Sequence, residues 1–103
     1  MPPREPRQRP VQRDGRFEED LERIVGEGAD RGILADVLIG VEFAVATNPE
    51  AYPIALGEGS VRLLKTRHVH RGVASMPMLG IWFSVGEFGD VTLLRARSIE
   101  QVM

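Results

Sequence analysis

Between Val61 and Arg97 the chain runs through three short apolar segments, VRLLKTR, LGIWFSV and DVTLLRAR, set apart by two polar connections. In the middle segment Leu79, Ile81, Phe83 and Val85 occupy every second position. Strand side chains alternate between faces, so this spacing puts four apolar groups on one side of a half-buried strand. The flanking segments repeat it less cleanly: Val61 and Leu63 lie opposite Arg62, Leu64 and Thr66, and Val91 and Leu93 opposite Thr92, Leu94 and Ala96. Three consecutive strands of this kind are most simply an antiparallel meander. Such a sheet has an apolar face to cover, and the chain before it supplies the cover.

Phe17, Leu21, Ile24 and Val25 form one helical stripe, and Ile33, Leu34, Val37, Leu38, Val41, Ala44 and Val45 form a second. Asp14 and Asp30 stand where side-chain caps for exposed amides are needed, Gly26 and Gly28 end the first helix, and Asn48-Pro49 stops the second. Glu18, Glu19, Asp20 and Glu22 suit the positive end of the first helix dipole. The short join makes the pair a helical hairpin with both stripes on the sheet. Gly40 inside the second helix costs about 1 kcal/mol relative to alanine, which predicts close packing at that point. The expected fold is α+β, a helical hairpin on one face of a small antiparallel sheet of three to four strands.

Residues 1–13 hold four of the seven prolines and little that is apolar, so they read as a basic Pro/Arg-rich tail with room for a short edge strand at Val11. Residues 14–103 then form a single domain. The segment NPEAYPIALGEGS, 48–60, is a crossover loop anchored by Tyr52, Ile54 and Leu56. Its GEG lacks the Lys-Ser/Thr context of a phosphate loop and precedes a strand, which discounts a nucleotide site. The connection His68–Met78 is long for a hairpin and predicts a functional or mobile loop.

The net charge of −2 hides a division. Residues 17–58 carry ten acidic and two basic side chains, whereas residues 59–86 carry four basic and none acidic. A small domain divided in this way can present a basic face to a polyanion in spite of its low pI. The chain has no cysteine, which excludes disulfides, thiolate metal sites and a cysteine nucleophile. No apolar run approaches the length of a membrane span and the amino terminus lacks a signal-peptide core, so the expectation is a cytoplasmic protein with no membrane partner.

Arg62, Lys65, Arg67, His68, His70 and Arg71 are the densest cluster of chemically capable groups, and Arg95 and Arg97 lie two apart on one face of the last strand. Arginine and lysine on a sheet suit RNA phosphate, either to bind it or to stabilise charge that develops during scission by the 2′-hydroxyl. His68 and His70 have the chemistry of a base and an acid near neutrality, with Arg71 as their cation. Arg62, Lys65, Arg67, Arg95 and Arg97 are the phosphate-binding candidates; Arg95 and Arg97 can equally pair with glutamates of the helices. His68-x-His70 has no third ligand nearby, so no metal is assigned, and no cofactor motif is present. Trp82, Tyr52, Phe83 and Phe88 read as core or turn anchors.

Taken in order, an acidic helix, a longer helix ending in Asn48-Pro49-Glu50, a Gly-rich loop, and strands at Val61–Lys65, Ile81-Trp82-Phe83 and Val91–Leu94 resemble the RelE/ParE superfamily of small bacterial toxins. The resemblance spans about residues 10–98 and implies a toxin of a type II toxin-antitoxin module. In the RelE-like branch it implies a metal-independent endoribonuclease that cuts mRNA on the ribosome, with Arg62 and Lys65 at the basic positions of the first long strand. Gly80 stands where active members often carry Arg, and Ser98–Met103 lacks the basic residue and Tyr or His that follow the last strand in them. Two other readings remain: a ParE-like gyrase inhibitor, and a relative without activity that serves as a binding module. The implied partner is an antitoxin whose acidic amphipathic segment covers the basic surface.

Overall fold

The computed structural model describes residues 8–55 and 59–99 of the chain. Leu56, the Gly57-Glu58 part of the loop, the first seven residues of the tail and residues 100–103 lie outside the described residues. The order of elements is β1 (Val11–Arg13), α1 (Gly15–Gly26), α2 (Arg31–Thr47), a single 3-10 turn (Pro49–Ala51), β2 (Val61–Lys65), β3 (Val69–Arg71), β4 (Ala74–Met76), β5 (Leu79–Val85) and β6 (Val91–Ser98). Two helices pack against a four-stranded sheet ordered β1-β6-β5-β2, with β3 and β4 as a separate hairpin. It is an α+β fold. The sheet is mixed: β2, β5 and β6 are antiparallel, and β1 joins β6 in parallel.

The caps act as the sequence predicts. Asp14 accepts the amide of Arg16 at 2.9 Å and Asp30 accepts that of Ile33 at 2.9 Å, so each helix opens on a side-chain oxygen. Phe17, Leu21 and Ile24 from α1 meet Ile33, Leu34, Leu38, Val41 and Val45 from α2 and Leu79, Ile81 and Phe83 from β5 in one core. Burial of these side chains, each worth roughly 1.5–3 kcal/mol when complete, is the main force holding helices to sheet. Tyr52 meets Phe83 edge-on with ring centroids 5.9 Å apart, which fastens the crossover loop to the same core.

Several local expectations change. Gly40 is exposed, and a Cβ added to it would have nothing within 4 Å, so the glycine serves no close packing. The outward side of α2 also carries Ile39 and Phe43, both exposed, which makes this helix apolar nearly all round. The stretch after β2 is a β-hairpin instead of an irregular loop. Gly72, with φ 63°, opens a two-residue turn that joins β3 to β4, and Met76 is fully buried in the core. The amide of Asp30 donates to the carbonyl of Ser75 at 2.9 Å, which ties this hairpin to the start of α2.

The amino-terminal segment is held from residue 9 onward. The Arg9 amide donates to Ala46 at 3.0 Å and its guanidinium pairs with Glu50, while Val11, Gln12 and Arg13 lie opposite Val91, Thr92 and Leu93. On the other edge, residues Pro53–Ala55 lie along β2, with Leu63 N–H donating to Pro53 at 3.0 Å and Ala55 N–H to Val61 at 2.9 Å. That edge is thereby closed to strand addition over these residues. Phe88 is not an anchor; it is exposed in the turn between β5 and β6.

Candidate nucleic-acid interface on the open sheet face

The helices cover one face of the sheet, and the register decides what stands on the other. Leu64 of β2 lies opposite Ile81 of β5, and both are buried on the helix side. The alternate residues therefore look outward: Val61 opposite Ser84, Leu63 opposite Trp82, and Lys65 opposite Gly80. Across β5 and β6 the partners are Gly80 with Arg97 and Trp82 with Arg95 on the outer face, and Ile81 with Ala96 on the inner one.

A bulge sets this arrangement. Trp82 pairs with Arg95 but Phe83 pairs with Leu93, so Leu94 is an extra residue on β6. Strict alternation from Val91 and Leu93 would carry Arg95 and Arg97 onto the core face and leave Ala96 outside. The extra residue reverses both: Ala96 is buried, and the two arginines are exposed on the open face.

Lys65 and Arg97 consequently stand opposite the same residue, Gly80, one on each neighbouring strand. With strands spaced by about 4.8 Å, the two backbones lie roughly 10 Å apart. Among the described residues neither side chain has a hydrogen-bond or ion-pair partner, and the outward positions of the four strands include no carboxylate. Gly80 itself lies beneath Trp82: a Cβ there would meet Cη2 of the indole at 3.0 Å and Cζ3 at 3.2 Å, and Cγ2 of Ile99 at 3.1 Å. Where the family resemblance leads one to expect an arginine, the space is filled by the tryptophan ring.

The other candidates are placed elsewhere. Arg62 shares the inner face with Leu64 and donates to the carbonyl of Tyr52 at 2.6 Å and of Glu50 at 3.4 Å, so it binds the crossover loop. Arg71 pairs with Asp36 of α2 at 2.7 Å. Arg67 is exposed just after β2. His68, just before β3, and His70, within it, stack with ring centroids 4.1 Å apart at an angle of 20°. His68 also borders a cavity with Ile24, Glu27, Ser75 and Ser98, at the carboxyl end of α1. The structure thus divides the cluster seen in the sequence: Arg71 pairs with a carboxylate of α2, Arg62 binds the crossover loop, His68 and His70 stack on each other, and Lys65 and Arg97 stand on the open face.

Arg95 stands on the open face but turns over its edge. Its Nε donates to Asp20 Oδ2 at 2.8 Å and its Nη2 to Oδ1 at 3.2 Å. Asp20 is buried, and the hydrogen bonds and charge of Arg95, followed by the amide of Ala96, hold its carboxyl below the ordinary carboxylate range against the opposing effect of burial. Of the two roles open to Arg95 and Arg97, Arg95 takes the pairing with a helix carboxylate and Arg97 extends the basic surface.

Trp82 is no core anchor: it is half-buried on the open face, opposite Leu63 and Arg95. It sits within the alternating apolar segment but on the off-beat, between Ile81 and Phe83, and that parity was the available signal that it leaves the core. Among the described residues no group of three or more potential ligands is placed to hold a metal ion, and no helix is long and apolar enough to cross a membrane. Comparison of the chain with protein-family models, curated proteins and solved structures gives no match.

Proposed function

We propose that this chain is a RelE/ParE-like toxin of a type II toxin-antitoxin module that inhibits translation by holding single-stranded RNA of the ribosome-mRNA complex on the open face of its sheet. The observation that carries it is the row Lys65, Gly80, Arg97 across three adjacent strands: two cations without partners among the described residues, on a face whose described outward positions hold no carboxylate. Cations so placed suit successive phosphates of one strand. The order of two helices and then β2, β5 and β6, the three antiparallel strands of the main sheet, supports the family reading.

Scission would need a base and an acid beside those cations. His68 and His70 stack on each other at β3, outside the row of Lys65, Gly80 and Arg97, so binding is the action we assign to this face, and the mRNA cleavage suggested by the resemblance is a separate outcome to be measured. The partner is an antitoxin whose acidic segment occupies the same face and competes with RNA. A ribosomal target places the protein in the cytoplasm.

The test is induced expression in a bacterial host, with growth, amino-acid incorporation and mRNA ends followed together. Translation arrest that disappears in a Lys65→Ala, Arg97→Ala variant and persists in a His68→Ala, His70→Ala variant is the expected result. New mRNA ends that vanish in the histidine variant would restore catalysis to the hairpin. Continued translation with DNA damage would move the target to gyrase, and growth without defect would leave a binding module.

A further inference from the structure

Trp82 is the sole tryptophan of the chain, and it is half-buried on a face where an indole gains little from the core. Its ring reaches along β5 over Gly80, flanked by Leu63 on one neighbouring strand and Arg95 on the other. With Arg95, Ala96, Arg97 and the buried Asp20 it walls a cavity of about 220 Å³. That is smaller than the pockets of roughly 300 Å³ and more that take drug-sized ligands, and it suits one planar ring.

We propose that this cavity is a base-stacking subsite, in which one unpaired nucleobase of a single strand lies against Trp82 while its flanking phosphates meet Arg97 and Lys65. The inference rests on the reading of the open face as a nucleic-acid surface and adds to it a contact with the base. Aromatic rings stack any base, and a base on an indole is held by its π-face without hydrogen-bond readout. Gly80 is the enabling residue, since its missing side chain leaves the room that the indole occupies over the strand. Asp20 takes no part in recognition, because its two oxygens already accept from Arg95, Arg23 and the Ala96 amide.

The full chain is titrated with labelled single-stranded RNA, the same sequence as DNA, and an abasic strand of equal length, read by polarisation and by quenching of the single tryptophan. Trp82→Phe and Trp82→Leu are compared after their thermal unfolding is shown to match the parent. Quenching by RNA, affinity reduced about tenfold in Trp82→Leu and largely kept in Trp82→Phe, and no effect of either variant on the abasic strand are expected. Equal quenching by DNA supports the subsite and assigns it to single strands of either sugar. Equal RNA affinity of Trp82→Leu and the parent, with loss in Lys65→Ala, Arg97→Ala, would overturn the stacking subsite and leave the phosphate row standing. No binding of any strand would overturn both.

Discussion

Asp20, on α1, accepts the backbone amide of Ala96, on β6, at 3.0 Å, at a point where β6 has run past the last residue of its parallel neighbour β1. A helix carboxylate thus takes the place of the missing strand as partner for an edge amide. Because Arg95 grips the same carboxylate from the open face, one buried residue fixes the seat of α1 and the position of the bulged strand together.

Asp20→Ala is therefore expected to destabilise the fold by about 1–3 kcal/mol, the range for leaving a buried amide without a partner, measured by chemical denaturation. The pH dependence follows from the direction of the shift. Asp20 binds its proton less readily in the folded state, so the stability it contributes is present above the ordinary carboxylate pKa and is lost as pH falls through its depressed folded value. In Asp20→Asn the parent's loss of stability in the acid range should be smaller, whereas an identical acid limb would contradict the assignment.

Gly40→Ala should raise stability by about 0.5–1 kcal/mol. The position is helical and exposed, with nothing within 4 Å of an added Cβ, so only the gain in helix propensity operates. A loss of stability in thermal unfolding would mean that the outward face of α2 is covered.

Gly80→Ala places a methyl group 3.0 Å from Cη2 of Trp82 and 3.1 Å from Cγ2 of Ile99. The indole must lift, and a cost of about 1–3 kcal/mol together with a shift in tryptophan emission is expected. An unchanged spectrum with unchanged stability would show that Trp82 does not lie over this strand.

The layers of the fold were legible because they rest on long periodic segments: Leu79, Ile81, Phe83 and Val85 alternate without interruption, and Phe17, Leu21 and Ile24 keep one helical stripe. The site was less legible for a local reason. A single extra residue, Leu94, inverts the parity of everything after it, and nothing in DVTLLRAR marks which residue is extra. In the same way Arg71 lies near Lys65 in the chain, but it stands on the separate β3–β4 hairpin and pairs with Asp36 of α2. Arg62 and Lys65 differ by an odd number of strand positions, so they stand on opposite faces. Nearness in sequence gave a cluster where the sheet makes two surfaces.

The most direct test of the open-face account is the salt dependence of single-stranded RNA binding by the parent and by Lys65→Ala, Arg97→Ala. If the two cations hold phosphates, affinity falls in the variant and the slope of log affinity against log salt becomes shallower by about 1.4, roughly 0.7 for each phosphate no longer neutralised. An unchanged affinity and slope would contradict the assignment of RNA to this face.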